Sequence, residues 1–298
     1  IKILKNKWST HNILYVILKW LGYFATGIAV LSLLFILIYV FSSGLTKLNF
    51  HVLFGKYTEE NPTLPSAIVG TLILVGISIV IAAPLGIGTA IFLVEYNKKG
   101  NKIVKIIRIA IETLAGIPSI VYGLFGYLMF VVSLGLGYSL LGGALTLSIM
   151  ILPVIVRSTE ESLLAGQDSY REGSYALGAG KARTIFKIVL PAASSGIVSS
   201  LILAMGRVVS ESAVLILTTG MVANKLPKSI LSPGTSLALD VYYFGSFGHP
   251  NEAAAAAVVL IALILFLNLT ATIVGRLLNK KMGEWYGRKW FWYFCKKI

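Results

Sequence analysis

Long apolar runs alternate with shorter polar ones along the whole chain. The first run, Ile13 to Phe41, is long enough to cross a hydrocarbon core of ~30 Å at ~1.5 Å per helical residue. Further spans are predicted over Ser66 to Val94, from near Ile111, over a stretch ending near Val156, from about Gly196 to Thr219, and from Ala253 to just before Arg276. The pattern predicts an all-α integral membrane protein with six transmembrane helices. Ile13 to Phe41 is too long for a signal peptide and lacks a small-residue cleavage site, so it reads as an anchor. Pro84 in the second span predicts a kink. The glycines and proline of Leu114-Ala-Gly-Ile-Pro118-Ser-Ile-Val-Tyr122-Gly-Leu-Phe-Gly126 predict close packing or a break in the third. A glycine-rich turn is expected over Gly135 to Gly143, and a long polar segment over Gly220 to Glu252.

Between the fourth and fifth spans lies a polar, amphipathic stretch from Glu160 to Pro191. It reads either as a solvated linker or as a docking loop. Small residues at Gly173 and Ser174 let a short helix enter a partner's cleft, and Gly178 ends that helix and turns the chain. Lys181, Arg183 and Lys187 mark a cytosolic membrane edge.

Composition agrees with the pattern. Of 298 residues, 56% are hydrophobic, which makes the membrane the solvent. A formal net charge of +14 would suggest nucleic acid in a soluble chain. Here the basic residues flank apolar spans, so bilayer orientation explains them instead. With the N-terminus inside, cytoplasmic segments hold about 20 of the 26 Lys and Arg, while Lys47, Lys56, Lys225 and Lys228 face outward. Both termini are then cytoplasmic, as is the 157–191 loop. Basic turns are expected at Lys98, Lys99, Lys102, Lys105 and Arg108, and after the sixth span at Arg276, Lys280 and Lys281. The tail, Trp285 to Ile298, mixes aromatic and basic residues suited to the membrane interface. Three regions are expected: 1–65, an anchor helix and outer loop; 66–278, a transmembrane core; and 279–298, the tail.

Arg207 is predicted to lie mid-span, where an arginine costs ~2.5–3.5 kcal/mol on insertion scales. Glu211 lies one helical turn later and Ser200 two turns earlier, so an ion pair and a polar face are expected. Arg207 and Glu211 read equally as a structural pair or as a site at which a guanidinium meets a passing oxyanion, to which its planar fork donates two hydrogen bonds.

Two sets of residues carry a resemblance. Glu172-Gly-Ser, then Gly178, then Ile188-Val-Leu190-Pro191 after nine residues, resembles the cytoplasmic loop of ABC-transporter permeases. That loop reads Glu-Ala-Ala, three residues, Gly, nine residues, Ile-x-Leu-Pro. Leu114 to Gly126 and Gly206-Arg-Val-Val-Ser-Glu-Ser-Ala213 are similar to segments of the phosphate-specific (Pst) permeases, on the PstA side more than the PstC side. Ser210 and Ser212 replace that family's Gly and Thr. The resemblance implies one membrane half of a phosphate importer in a bacterial or archaeal cytoplasmic membrane. It implies a related PstC-like permease, a PstB-like ATP-binding dimer and a PstS-like extracytoplasmic phosphate-binding protein as partners. It further implies ATPase coupling through Glu172, Gly173, Ser174, Gly178 and Ala179, and a translocation route past Arg207, Glu211 and Ser200.

No catalytic machinery is expected in the chain. Gly178-Ala-Gly-Lys181 fails as a phosphate loop, because Tyr175 stands where the first glycine belongs and Ala182 where Ser or Thr would hold magnesium. His11, His51, His249 and the single Cys295 are scattered, so no metal or cofactor is expected. A permease for another oxyanion such as sulfate, molybdate or phosphonate is the alternative within transport. A membrane enzyme acting on lipid phosphates would need a polar cluster near the interface, and the strong polar constellation sits mid-span instead.

Overall fold

The computed structural model describes the backbone of residues 2–58, 62–97 and 101–295, and the side chains of 14–58, 62–97 and 101–275. Residues 59–61, Lys98 and Lys99 lie outside the described residues, as do the side chains of Lys2, Lys5, Lys7, Arg276, Lys280, Lys281 and the 285–298 tail. Among the described residues all regular structure is helical.

Helix α1 (Lys2–Lys47) continues beyond the expected end at Phe41. Its apolar side chains have little of their own chain to meet. Trp20, Phe24, Leu31 and Phe35 are 69%, 68%, 67% and 72% exposed. It joins the bundle only near its end, where Gly44 has no side chain to hold off Ala254 and Val258. A short α2 (Phe50–Phe54) follows, capped by Asn49, whose Oδ1 accepts the Val52 N–H.

The core is built from α3 (Pro65–Glu95), α6 (Leu140–Leu164) and α9 (Leu190–Val209), with α12 (Pro250–Cys295) packed alongside. Leu74, Leu147, Met150, Ile151 and Ile155 are completely enclosed there. In lipid, helices are held together by packing and hydrogen bonds rather than by exclusion of water. Accordingly Ser78 of α3 donates to the Ala144 carbonyl at 3.1 Å, and Ser148 donates to the same carbonyl at 2.6 Å. Helix α3 continues through Pro84, and α6 through Pro153.

The third span departs from expectation. Lys102, Lys105 and Arg108 are not in a turn: Asn101 caps α4 (Lys102–Ala115), which carries them. Gly116-Ile-Pro118 then breaks the chain, because Pro118 cannot supply the N–H a continuing helix requires. Helix α5 (Ser119–Gly126) starts in a new direction and runs into a π-helical turn, Tyr127–Ser133. The two halves are bent by 101°. Among the described residues five helices are long and apolar enough to cross a membrane, and the bent pair makes six if counted as one span. Ser139 caps α6 and Leu140 begins it, so Gly142 and Gly143 are helical rather than in the expected turn.

After α6 come α7 (Asp168–Ala176), α8 (Lys181–Thr184) and a π-helical turn (Ile185–Val189) that feeds directly into α9. The fifth span starts earlier and stops sooner than predicted. Helix α9 ends at Val209, and a separate α10 (Ala213–Thr218) follows. The expected polar segment 220–252 is not merely loop. It holds α11 (Leu237–Ser246), whose Leu237 and Phe244 join Leu64, Ala67, Ala253 and Ala256 in a second core at the end opposite α7.

Candidate functional site

Among the described residues the α7 loop gathers one group of polar side chains. Asp168 opens α7 with a carboxylate that suits the positive end of the helix dipole. The helix closes in a Schellman arrangement. Gly178 takes φ +79°, its N–H reaches the Tyr175 carbonyl at 2.9 Å, and the Ala179 N–H reaches that of Ser174 at 3.1 Å. Ser174 is buried with its hydroxyl 2.8 Å from that of Thr184, which folds α8 back on α7. Glu172 and Gly173 lie on the open side, and a Cβ at Gly173 would meet nothing. Around them stand Tyr170, Tyr175 and Leu177, the last 90% exposed. A small-residue gap thus stands beside exposed aromatic and aliphatic side chains.

What fixes this loop was not legible in the sequence. Arg171 reaches Glu95 at the end of α3 through Nε and Nη2, at 2.9 and 2.8 Å. Lys181 sits 5.0 Å from the ring centre of Tyr96. Arg108 of α4 pairs with Glu160 of α6 at 2.5 Å. The one sequence signal was Glu95 itself, an acid closing an apolar helix at the negative end of its dipole, which calls for a cation.

A second group lies at the break between α9 and α10. Arg207 does not sit mid-helix. It lies in the last turn of α9, where the carbonyl-rich end favours a cation. The helix stops at Ser210, whose hydroxyl donates to the Gly206 carbonyl at 2.9 Å. Glu211 therefore never completes the next turn. Its Oε1 instead accepts the Ala213 and Val214 N–H groups at 3.1 and 3.4 Å and caps α10. The ion pair expected from helical spacing does not form, and among the described residues Arg207 enters no ion pair. The Tyr122 hydroxyl donates to the Leu114 carbonyl at 2.8 Å, satisfying an end of α4. Helices α5 and α10 approach closely because Gly123 has no Cβ, which would lie 3.1 Å from Val214 Cα.

Ser200 is fully enclosed against α6, 3.4 Å from the Thr159 hydroxyl, which is a packing position. Ser195 and Ser199 are exposed earlier along α9, Ser210 is exposed just after Arg207, and Gly206 borders open space. Among the described residues no three His, Cys, Asp or Glu side chains gather as a metal would require.

The profile of the binding-protein-dependent transport system inner membrane component family matches residues 82–284. The chain belongs to that family. The chain is 33% identical over 262 residues to the "Probable ABC transporter permease protein YqgI" of Bacillus subtilis, covering 82% of this chain and 89% of that one. It is 36% identical over 213 residues to the "Phosphate transport system permease protein PstA 1" of Mycobacterium tuberculosis, covering 70% and 69%. Its fold is that of the membrane subunits of solved importers. A chain of a bacterial alginate ABC transporter, crystallised with an alginate-bound periplasmic protein, superposes with a TM-score of 0.65 at 18% identity over 88% of this chain and 96% of that one. The chain is thus an ABC importer permease subunit.

Proposed function

We propose that the chain is one membrane half of an ATP-driven phosphate importer. The reading is carried by Arg207: a half-buried guanidinium, without an ion pair among the described residues, at a helix break next to the exposed Ser210. An arginine so placed is costly in lipid, and a tetrahedral oxyanion is the partner its fork suits best. PstA 1, at 36% identity, is a phosphate transport permease by name, which supports phosphate over other oxyanions. Glu211, committed to the α10 N-terminus, shapes the break and lends the route its negative border.

In this reading residues 66–278 form the transport core, 1–65 the anchor and outer loop, and 279–298 a cytoplasmic tail. A related permease covers the exposed flanks of α1 and α9. An ATP-binding dimer receives α7 through Glu172, Gly173 and the turn at Gly178 and Ala179. A phosphate-binding protein docks at the opposite, extracytoplasmic end. A cavity of about 540 Å³ opens there between Tyr57, Asn224, Tyr243 and His249. Both termini lie in the cytoplasm. ATP is hydrolysed by the partner, and the movement of α7 switches the side on which Arg207 is accessible.

The experiment is phosphate uptake in cells lacking their own system. Wild type restores uptake. Arg207→Gln abolishes it while the complex with the ATPase still assembles. Normal uptake by Arg207→Gln would reduce the arginine to a structural role. Uptake of sulfate or molybdate instead of phosphate by the wild type would move the substrate to another oxyanion.

A further inference from the structure

Arg171 makes five polar contacts, one for each N–H of a guanidinium. Nε and Nη2 reach Glu95 Oε1, Nη2 reaches the Leu163 carbonyl at 2.9 Å, and Nη1 reaches the Gly166 carbonyl at 3.3 Å and Asp168 Oδ1 at 3.2 Å. The side chains are nearly enclosed, Glu95 at 5% and Arg171 at 15% exposure. Glu95 closes α3, while Leu163 and Gly166 belong to the end of α6, where helix carbonyls lack partners. One side chain of α7 therefore ties together the ends of the two helices that form the centre of the bundle. A lysine, with a single point of charge, would hold Glu95 but could not span these directions.

We infer that Arg171 is a positioning residue of the transport cycle: through Glu95 and the α6 carbonyls it locks α7 to α3 and α6. A push on α7 then moves both helices as one body. The inference rests on the reading of α7 as the ATPase contact. Helix α3 runs 31 residues from Glu95 to Pro65 at the opposite end, so a displacement at the loop is carried across the membrane without passing through a hinge at α7.

The test uses the complete transporter in liposomes, in a Cys295→Ser background. Phosphate moved per ATP hydrolysed is measured for Arg171→Gln, Glu95→Gln and the double variant. Each is expected to lower that ratio by about tenfold, within the range of coupling changes seen when a transmitting contact is cut. Arg171→Gln leaves the buried Glu95 carboxylate unpaired and lowers the melting temperature, while in Glu95→Gln the guanidinium keeps Asp168 and the two carbonyls. The double variant removes both charges and regains stability but not coupling, an outcome a purely structural pair would not give.

Spin labels at Leu85→Cys on α3 and Ser169→Cys on α7 supply a second readout that needs no substrate. Their separation is expected to stay constant between nucleotide-free and vanadate-trapped states in the otherwise unaltered protein, and to change between those states when Arg171→Gln is added. A normal ratio in the double variant, or a separation that shifts on trapping with Arg171 intact, overturns the inference. If the wild type moves no phosphate, the substrate reading fails, and the label distances still decide the role of Arg171.

Discussion

Gly126 shows how a single residue decides whether the broken span can pack. A Cβ built there would collide with the Thr146 side chain of α6, so α5 reaches the core only because the position has no side chain. Overpacking of this kind costs ~1–3 kcal/mol. Gly126→Ala is expected to lower the melting temperature of the purified protein, and adding Thr146→Ala to restore part of the loss by clearing the space. An unchanged melting temperature for Gly126→Ala would mean that α5 shifts freely. Gly126 belongs to a stretch whose glycines were visible in the sequence, but the partner that requires the gap, Thr146, is twenty residues away and on another helix. Arg207 and Ser200 make the same point. Their types were readable, while their directions depended on where α9 stopped.

At the scale of elements, α11 carries the most exacting polar group outside the spans. Asp240 is almost fully buried; Thr235 donates to its Oδ1, and Oδ2 has no hydrogen-bond partner. Burial raises its carboxyl to about 7, and the Thr235 hydrogen bond only partly opposes this. From about pH 4 to about pH 7 the unfolded chain has lost this proton and the folded chain keeps it, so stability from this group falls as pH rises through that window. The melting temperature is expected to drop more steeply with pH in the wild type than in Asp240→Asn. Parallel curves would show that the group does not titrate there. Helix α11 was hidden in a segment judged polar, because its Ser236 cap and Asp240 look like loop residues until α3 and α12 enclose them.

For the whole molecule, the two ends and flanks differ in what they leave uncovered. Helix α1 stands clear of its own bundle over most of its length, and α7 presents Leu177 almost entirely free. A side chain so exposed contributes little to the fold of its own chain, so its change tests assembly alone. Leu177→Asp is expected to leave the melting temperature of the isolated subunit within about a degree, while the ATPase that copurifies falls severalfold through the buried charge it would meet. Full copurification of the ATPase with Leu177→Asp would place the docking surface elsewhere than at the end of α7.

The sequence by itself determined the membrane class, the order and approximate number of spans, the polar loop and its turn at Gly178, because each follows from runs of apolar residues or from one backbone requirement. It also marked Arg207 as a residue needing a reason. Only the tertiary structure decided where helices end inside an apolar run. It chose the break at Pro118 over close packing alone, separated α9 from α10 at Ser210, gave Glu211 to a helix terminus rather than to Arg207, and brought Glu95 to Arg171 across 76 residues. The physical reason is common to all of these. In lipid, hydropathy says that a stretch belongs in the membrane but not which face turns inward, and a buried polar group is satisfied by whichever partner packing brings near.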